Sequence, residues 1–232
     1  MTEPTPSPDA GPKPRKRATA DATTKRPRDS ARTKAEILVA ARAEFAERGF
    51  EGARVDAIAA LAGANKRLLY HYFGNKEELY RAVLLDAYQE IRRGERALSL
   101  DQFGAVEAMD RLVRFTFRHF LANPWFPRLL NTENIENARF LKTMPDIQAL
   151  HSPLVGQIRT IVERGADAGV FRRDVDPVQL YISIAALGFF YVSNMATLSV
   201  IFARDLAGID MVQEREAQAV QMVLDYLRTR PV

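Results

Sequence analysis

The stretch Val55-Asp56-Ala57-Ile58-Ala59-Ala60-Leu61-Ala62-Gly63-Ala64-Asn65-Lys66-Arg67-Leu68-Leu69-Tyr70-His71-Tyr72-Phe73-Gly74 holds two short helical patterns with a glycine between them. Val55, Ile58, Ala59 and Ala62 recur at the i, i+3, i+4, i+7 spacing of a helix with one buried face, which predicts a helix over about 55 to 62. Gly63 ends it. Asn65 is a favoured N-cap for a second helix reaching Phe73. Leu69 and Phe73 fall on one side of that helix as anchors, while Arg67, Tyr70 and His71 share the other by i+3 and i+4 spacing. Helix pairs joined by a glycine turn are common in ordinary helical proteins. What sets this pair apart is its outward chemistry. Lys66 and Arg67 stand in the first turn, where backbone amides also favour anions, and Tyr70 and His71 follow. These are the donors that phosphates and major-groove base edges accept.

Working outward, a helix is predicted over about 32 to 48, with Leu38, Ala41 and Phe45 on one face and Gly49 at the position that favours a left-handed stop. Phe50 then packs back on Phe45. On the other side, Gly74 breaks the chain and Asn75-Lys76-Glu77-Glu78 has the form of a capping box opening a helix to about 92. Beyond a break at 94 to 104, helices are expected at about 106 to 122, 125 to 131, 133 to 142 and 146 to 168, separated by Pro124, Pro127 and Pro145. Asp176-Pro177 is an N-cap followed by proline at the first helical position, and starts a long helix to about 204. The last helix is expected over 211 to 228. No run alternates with period two, so the fold class is all-α.

The 232 residues carry a formal net charge of +4. Residues 1–28 hold seven Lys or Arg against Glu3, Asp9 and Asp21, and so supply the whole excess. Residues 1–30 are rich in Pro, Thr, Ala and basic residues and read as a disordered tail, either simply solvated or adding sequence-independent attraction to phosphate through 13–17 and 25–28. With no cysteine there is no disulfide framework, thiolate metal site or cysteine nucleophile, which fits a cytoplasmic location. There is also no G-x-S-x-G, no H-E-x-x-H and no Gly-rich phosphate loop. Glu133 and Glu136 stand at i+3, but read as a solvated pair. Neither catalysis, a metal nor a cofactor is expected.

Three runs taken together, Ala41-x-x-x-Phe45-x-x-x-Gly49-Phe50, Ile58-Ala59-x-x-Ala62-Gly63 and Leu69-Tyr70-His71-Tyr72-Phe73-x-Asn75-Lys76-Glu77-Glu78-Leu79, resemble the N-terminal domain of the TetR family. The resemblance covers 31 to 80 nearly continuously. It implies an N-terminal three-helix helix-turn-helix DNA-binding domain over 31–80 and a C-terminal helical ligand-binding and dimerisation domain over 81–232. It also implies a homodimeric repressor that leaves a double-stranded operator when a small molecule binds. Carried over residue by residue, Arg67, Leu68 and Tyr70 fall where the family meets bases or sugars, and Tyr70, His71, Tyr72 and Lys76 where it meets phosphates. Thr33 matches a further backbone contact, and Lys66 joins the set from its place in the first turn. Helix 2 departs from the family pattern. Arg54 stands near a usual hydroxyl contact and supplies a charge, whereas Asp56 repels phosphate unless it pairs with Arg54 or serves the helix dipole. Tyr72 either reaches phosphate or packs on helix 1 with its hydroxyl exposed.

Residues 177–203 contain no charged side chain. Their polar residues, Gln179, Ser183, Ser193, Asn194, Thr197 and Ser199, argue against a membrane span. A helix apolar on nearly all sides must be covered on nearly all sides, here by its own domain and a second subunit. The last helix shows a stripe of Val220, Val223, Leu224 and Leu227, with Glu214, Glu216 and Arg228 left to water. The last two helices are therefore expected to form the homodimer interface. For the effector pocket the candidates are Phe115, Trp125, Asn131, Asn134 and Phe140, joined by Phe189 and Asn194 if these do not belong to the dimer seam. The segment from Trp125 to Leu141 also resembles the pyrimidine- or aromatic-acid-responsive subgroup.

Overall fold

The computed structural model describes residues 1, 2 and 27–228, of which 27–29 by backbone alone. The expected tail falls almost entirely outside the described residues. Helix α1 (Pro27–Gly52) starts ahead of the expected boundary and contains a break at Gly49, whose φ of 65° lies in the left-handed region that suits glycine. That turn brings Phe50 back onto Phe45, with ring centroids 6.2 Å apart. Helices α2 (Val55–Leu61) and α3 (Lys66–Phe73) follow, then α4 (Lys76–Ala97). Ile37, Ala41, Phe45, Ile58, Leu69 and Leu79 close the core between them and are buried.

The C-terminal layers are α5 (Ala105–Ala122), α6 (Trp125–Ile135), α7 (Ile147–Asp167), α8 (Pro177–Ile201) and α9 (Ile209–Leu227). Leu112, Ile158, Ile161, Ile184, Val223 and Leu227 form their shared core. Asp176 caps α8 by accepting hydrogen bonds from Val178 N at 2.7 Å and Gln179 N at 3.2 Å. All the described regular structure is helical, apart from one isolated bridge between Phe171 and Arg228.

Several boundaries differ from the sequence reading. Helix α4 runs through Gly94, which is a packing residue: a Cβ there would stand 2.7 Å from Phe115 Cε2 and closer still to Cζ. Pro127 lies inside the first turn of α6, where a missing N–H costs nothing. The helix expected over 133–142 does not form. Asn137 and Ala138 both take left-handed φ, 55° and 56°, and only a short 3-10 turn at Leu141–Thr143 remains. Glu133 is buried rather than solvated, its Oε2 accepting a hydrogen bond from Leu141 N at 3.1 Å. This irregular turn sets Phe140 into the N-terminal core, 4.5 Å from the Phe50 ring and 4.7 Å from Tyr80. Phe140 is therefore a joint between the two domains and is removed from any pocket.

Helix α8 buries Leu180, Ile184, Gly188 and Tyr191 against its own domain, and leaves Val178, Ile182, Phe190, Val200 and Ile201 exposed. On α9 the expected stripe of Val220, Val223, Leu224 and Leu227 is consumed by the domain core. The open apolar face is Met222 and Tyr226 instead. Glu216 is not left to water: it is buried and ion-paired with Arg114 at 3.2 Å and Arg118 at 2.8 Å.

Candidate nucleic-acid interface and interior polar cluster

Helix α3 is held from both ends and from behind. Asn65 Oδ1 accepts from Leu68 N at 2.8 Å, and after Gly74 the side chain of Asn75 does the same for Glu78 N at 2.9 Å, opening α4. The second half of that capping box is not made, because the Glu78 carboxylate is taken by Arg81. Leu69 and Phe73 are buried, Leu68 and Tyr72 half-buried. Lys66, Arg67, Tyr70 and His71 are exposed on the outward side, which leaves one cationic and aromatic face free for a partner. Tyr72 packs against the N-terminal core, its ring 5.4 Å from His71.

The surroundings of α3 alter that face. Asp56 pairs with Lys66 at 3.0 Å and not with Arg54, so it neutralises part of the charge that α3 presents. Its carboxylate raises the Lys66 pKa above the ordinary value through a hydrogen bond and direct attraction. The backbone N of Arg54 donates to Glu44 Oε1 at 3.1 Å, which fixes the start of α2 on α1 and leaves the guanidinium in solvent. Lys76 is partly engaged, donating to Glu51 O at 3.2 Å with its ammonium 4.8 Å above the Phe50 ring. Thr33 is half-buried near the start of α1. Lys34, which the sequence pattern did not single out, lies 5.5 Å over the Phe73 ring and adds a cation beside α3.

Of the seven expected pocket residues, Phe115, Trp125 and Phe189 pack against the core that contains Phe140, but the seven do not line one described groove. Phe115 lines a groove of about 610 Å³ along α5 with His119 and Asn123, and the other six lie outside its lining. Trp125 is covered by Arg42, whose guanidinium carbon is 4.0 Å from the ring and whose Nη1 donates to Glu90 at 2.8 Å. Asn131 and Asn134 are exposed. Phe189 packs on Phe120 at 6.1 Å, and Asn194 Nδ2 donates to Phe190 O at 2.8 Å within its own helix.

A different group of side chains occupies the interior. Arg92 and Glu95, each 2% exposed, sit one turn apart on the buried face of α4, with Arg92 Nη2 2.9 Å from Glu95 Oε1. The same Nη2 donates to Tyr181 Oη at 2.8 Å. Burial holds the His119 imidazole down at about 4, with the Arg92 charge acting in the same direction, so this ring is neutral. Glu95 is pushed up to about 7 by burial, against the pull of Arg92 and Arg96. The periodicity of α4 carried a readable signal: Tyr80, Leu84, Ala87 and Ile91 define an apolar stripe, and two charged residues continue it.

An exposed basic helix seated on a glycine turn, continued by α4 into a helical bundle that also packs on α1 through α6, defines the class: a helix-turn-helix DNA-binding regulator. Residues 37–83 match the model described as bacterial regulatory proteins, tetR family, and residues 106–223 the Tetracyclin repressor-like C-terminal domain. The chain belongs to the TetR family. It is 38% identical over 176 residues to the HTH-type transcriptional repressor NicS of Pseudomonas putida, covering 76% of this chain and 83% of that one. It is 31% identical over 201 residues to the repressor SCO4008 of Streptomyces coelicolor, covering 85% and 98%. A solved TetR family regulator from Marinobacter aquaeolei shares the fold, with a TM-score of 0.68 at 22% identity over 88% of this chain and 99% of that one.

Proposed function

We propose that this chain is a cytoplasmic repressor that binds a palindromic operator as a homodimer and releases it when a small molecule enters the C-terminal domain. The observation that carries this reading is the single helix α4, capped at Asn75 beside the recognition helix and ending among the buried polar groups at Arg92 and Glu95. A ligand that shifts the far end of α4 changes the separation of two reading heads. The DNA-contacting set is Arg67, Tyr70 and His71 on the open face, Lys66 tempered by Asp56, Leu68 and Tyr72 behind them, and Thr33, Arg54 and Lys76 at the flanks. The apolar face of Ile182, Phe190, Met222 and Tyr226 supports dimerisation through α8 and α9. By length and composition alone α8 would also span a bilayer. Its close packing on α5, where a Cβ at Gly188 would stand 3.3 Å from Phe117 Cα, supports a soluble bundle with a partner subunit.

The test is a footprint of the full chain on the DNA upstream of its own gene, with and without candidate metabolites. The reading expects two protected half-sites about 34 Å apart, and protection that one class of metabolite removes. Uniform protection of unrelated sequences would overturn it.

A further inference from the structure

The interior cluster is incomplete in a specific way. Arg92 uses Nη2 for both Tyr181 and Glu95, while Nε and Nη1 are buried with no hydrogen-bond partner among the described residues. Both carboxylate oxygens of Glu95 likewise lack a hydrogen bond, because its ion pair with Arg92 is close but poorly aligned. A buried guanidinium is costly unless its charge is paired and its N–H groups are satisfied. A guanidinium grips the two oxygens of a carboxylate through Nη2 paired with Nε or with Nη1, so an acid uses the orphan N–H groups only by taking over the edge that Glu95 now holds.

Space lies beside this pair, but the orphan nitrogens and carboxylate oxygens are themselves covered, so an acid reaches the guanidinium as Glu95 moves aside. A cavity of about 280 Å³ between α4 and α7 is lined by Arg92 and Glu95, with Leu150, Pro153 and Leu154 as an apolar wall. Arg96, exposed on α4, also lines it and offers a second positive charge, set against the carboxylate of Asp101 on the same rim. The volume falls just below the usual ligand-pocket range of about 300 to 1,000 Å³, which bounds the occupant to a small metabolite.

We propose that this cleft binds a small organic carboxylate with an apolar tail, its carboxylate taking the place of Glu95 on the Arg92 guanidinium and its tail against Leu150, Pro153 and Leu154. This rests on the reading of the C-terminal domain as the effector-sensing part. Glu95 is the resident competitor for the same guanidinium. Burial, which already raises its pKa, makes it a weak one, and it takes up a proton when an incoming anion displaces it.

The experiment uses the full chain, melted and titrated calorimetrically with sodium hexanoate, benzoate and phenylacetate, with the matching neutral amides and with inorganic phosphate. The expected result is that at least one acid raises Tm and binds, while its amide and phosphate do not. Arg92→Met should weaken that binding on the order of 10- to 100-fold, the worth of hydrogen bonds to a charged group. Glu95→Gln should tighten it, since it removes the competitor and keeps the shape. That second variant holds the test even if Arg92→Met does not fold. No binding by any acid, equal binding by acid and amide, binding of phosphate alone, or weakening at Glu95→Gln would each overturn the proposal. Operator affinity measured on the same samples separates the two readings. Acid binding with this variant pattern but no release of DNA upholds the carboxylate site and overturns the effector role.

Discussion

Asp56 Oδ1 lies 3.0 Å from Lys66 Nζ, tying the first turn of α2 to the first turn of α3. A charge on α3 is thus countered inside the motif that presents it. Asp56→Asn releases Lys66 and removes a negative charge from the side proposed to face DNA. Operator and nonspecific DNA should both bind more tightly, and the slope of log K against log salt should steepen by about 0.9 for one added phosphate contact. Titration of the variant across salt checks this. An unchanged slope would show that Lys66 stays clear of phosphate.

Arg67 is exposed beside Lys66, with Leu68 half-buried behind it. Arg67→Ala should cost about 1 to 3 kcal/mol of operator affinity and relax the preference at one or two base positions. Binding to a library of operator variants measures both. Equal weakening on every sequence would reassign Arg67 to the DNA backbone.

Two helical glycines give opposite outcomes for one chemical change. At Gly94 a methyl meets the Phe115 ring, and Gly94→Ala should destabilise by about 1 to 3 kcal/mol by forcing α4 and α5 apart. At Gly156, within α7, nothing stands within 4 Å, and Gly156→Ala should stabilise by about 0.4 to 1 kcal/mol by restricting the unfolded chain. Thermal melts of the two variants against the parent chain test the pair.

The Glu95 carboxyl, pushed up to about 7, binds a proton more readily in the folded chain than in the unfolded one. Its contribution is fully present below the unfolded value near 4.5 and is lost as pH rises through 7, on the order of 3 kcal/mol. His119, held down at about 4, acts oppositely: its contribution is present above 6.5 and lost as pH falls toward 4. The two overlap in wild type, so the informative quantity is the difference from Glu95→Gln. The stability advantage of that variant should grow from pH 5 to pH 8 in denaturant titrations. A constant difference would contradict the raised value.

Local rules were legible where one helix turn decides the outcome. Asn65, Asn75 and Asp176 cap the helices that they precede, and Gly49 turns the chain back onto Phe45. Features that depend on a distant partner were not. Gly94 reads as a break until Phe115 is seen against it, and Glu216 as a surface acid until Arg114 and Arg118 arrive from α5. The left-handed pair Asn137 and Ala138 follows from the burial of Phe140 beside Phe50 and Tyr80, and no periodicity within 133–142 announces it. Arg92 and Glu95 were not singled out, because the expected break at 94–104 cut the stripe of α4 short of Glu95, and their unfilled hydrogen bonds arise only where α4, α7 and α8 meet.

Helix α4 spans 22 residues, about 33 Å at 1.5 Å per residue. Under the function proposed above, it is a long arm with the operator at one end and the cleft at the other. Tilted by about 5° about its C-terminal end, such an arm carries its N-terminus through about 3 Å, close to the 3.4 Å that separates neighbouring bases along a strand. Under the proposed mechanism, a displacement small at Arg92 would be enlarged, at Asn75, to the width of one letter of the operator.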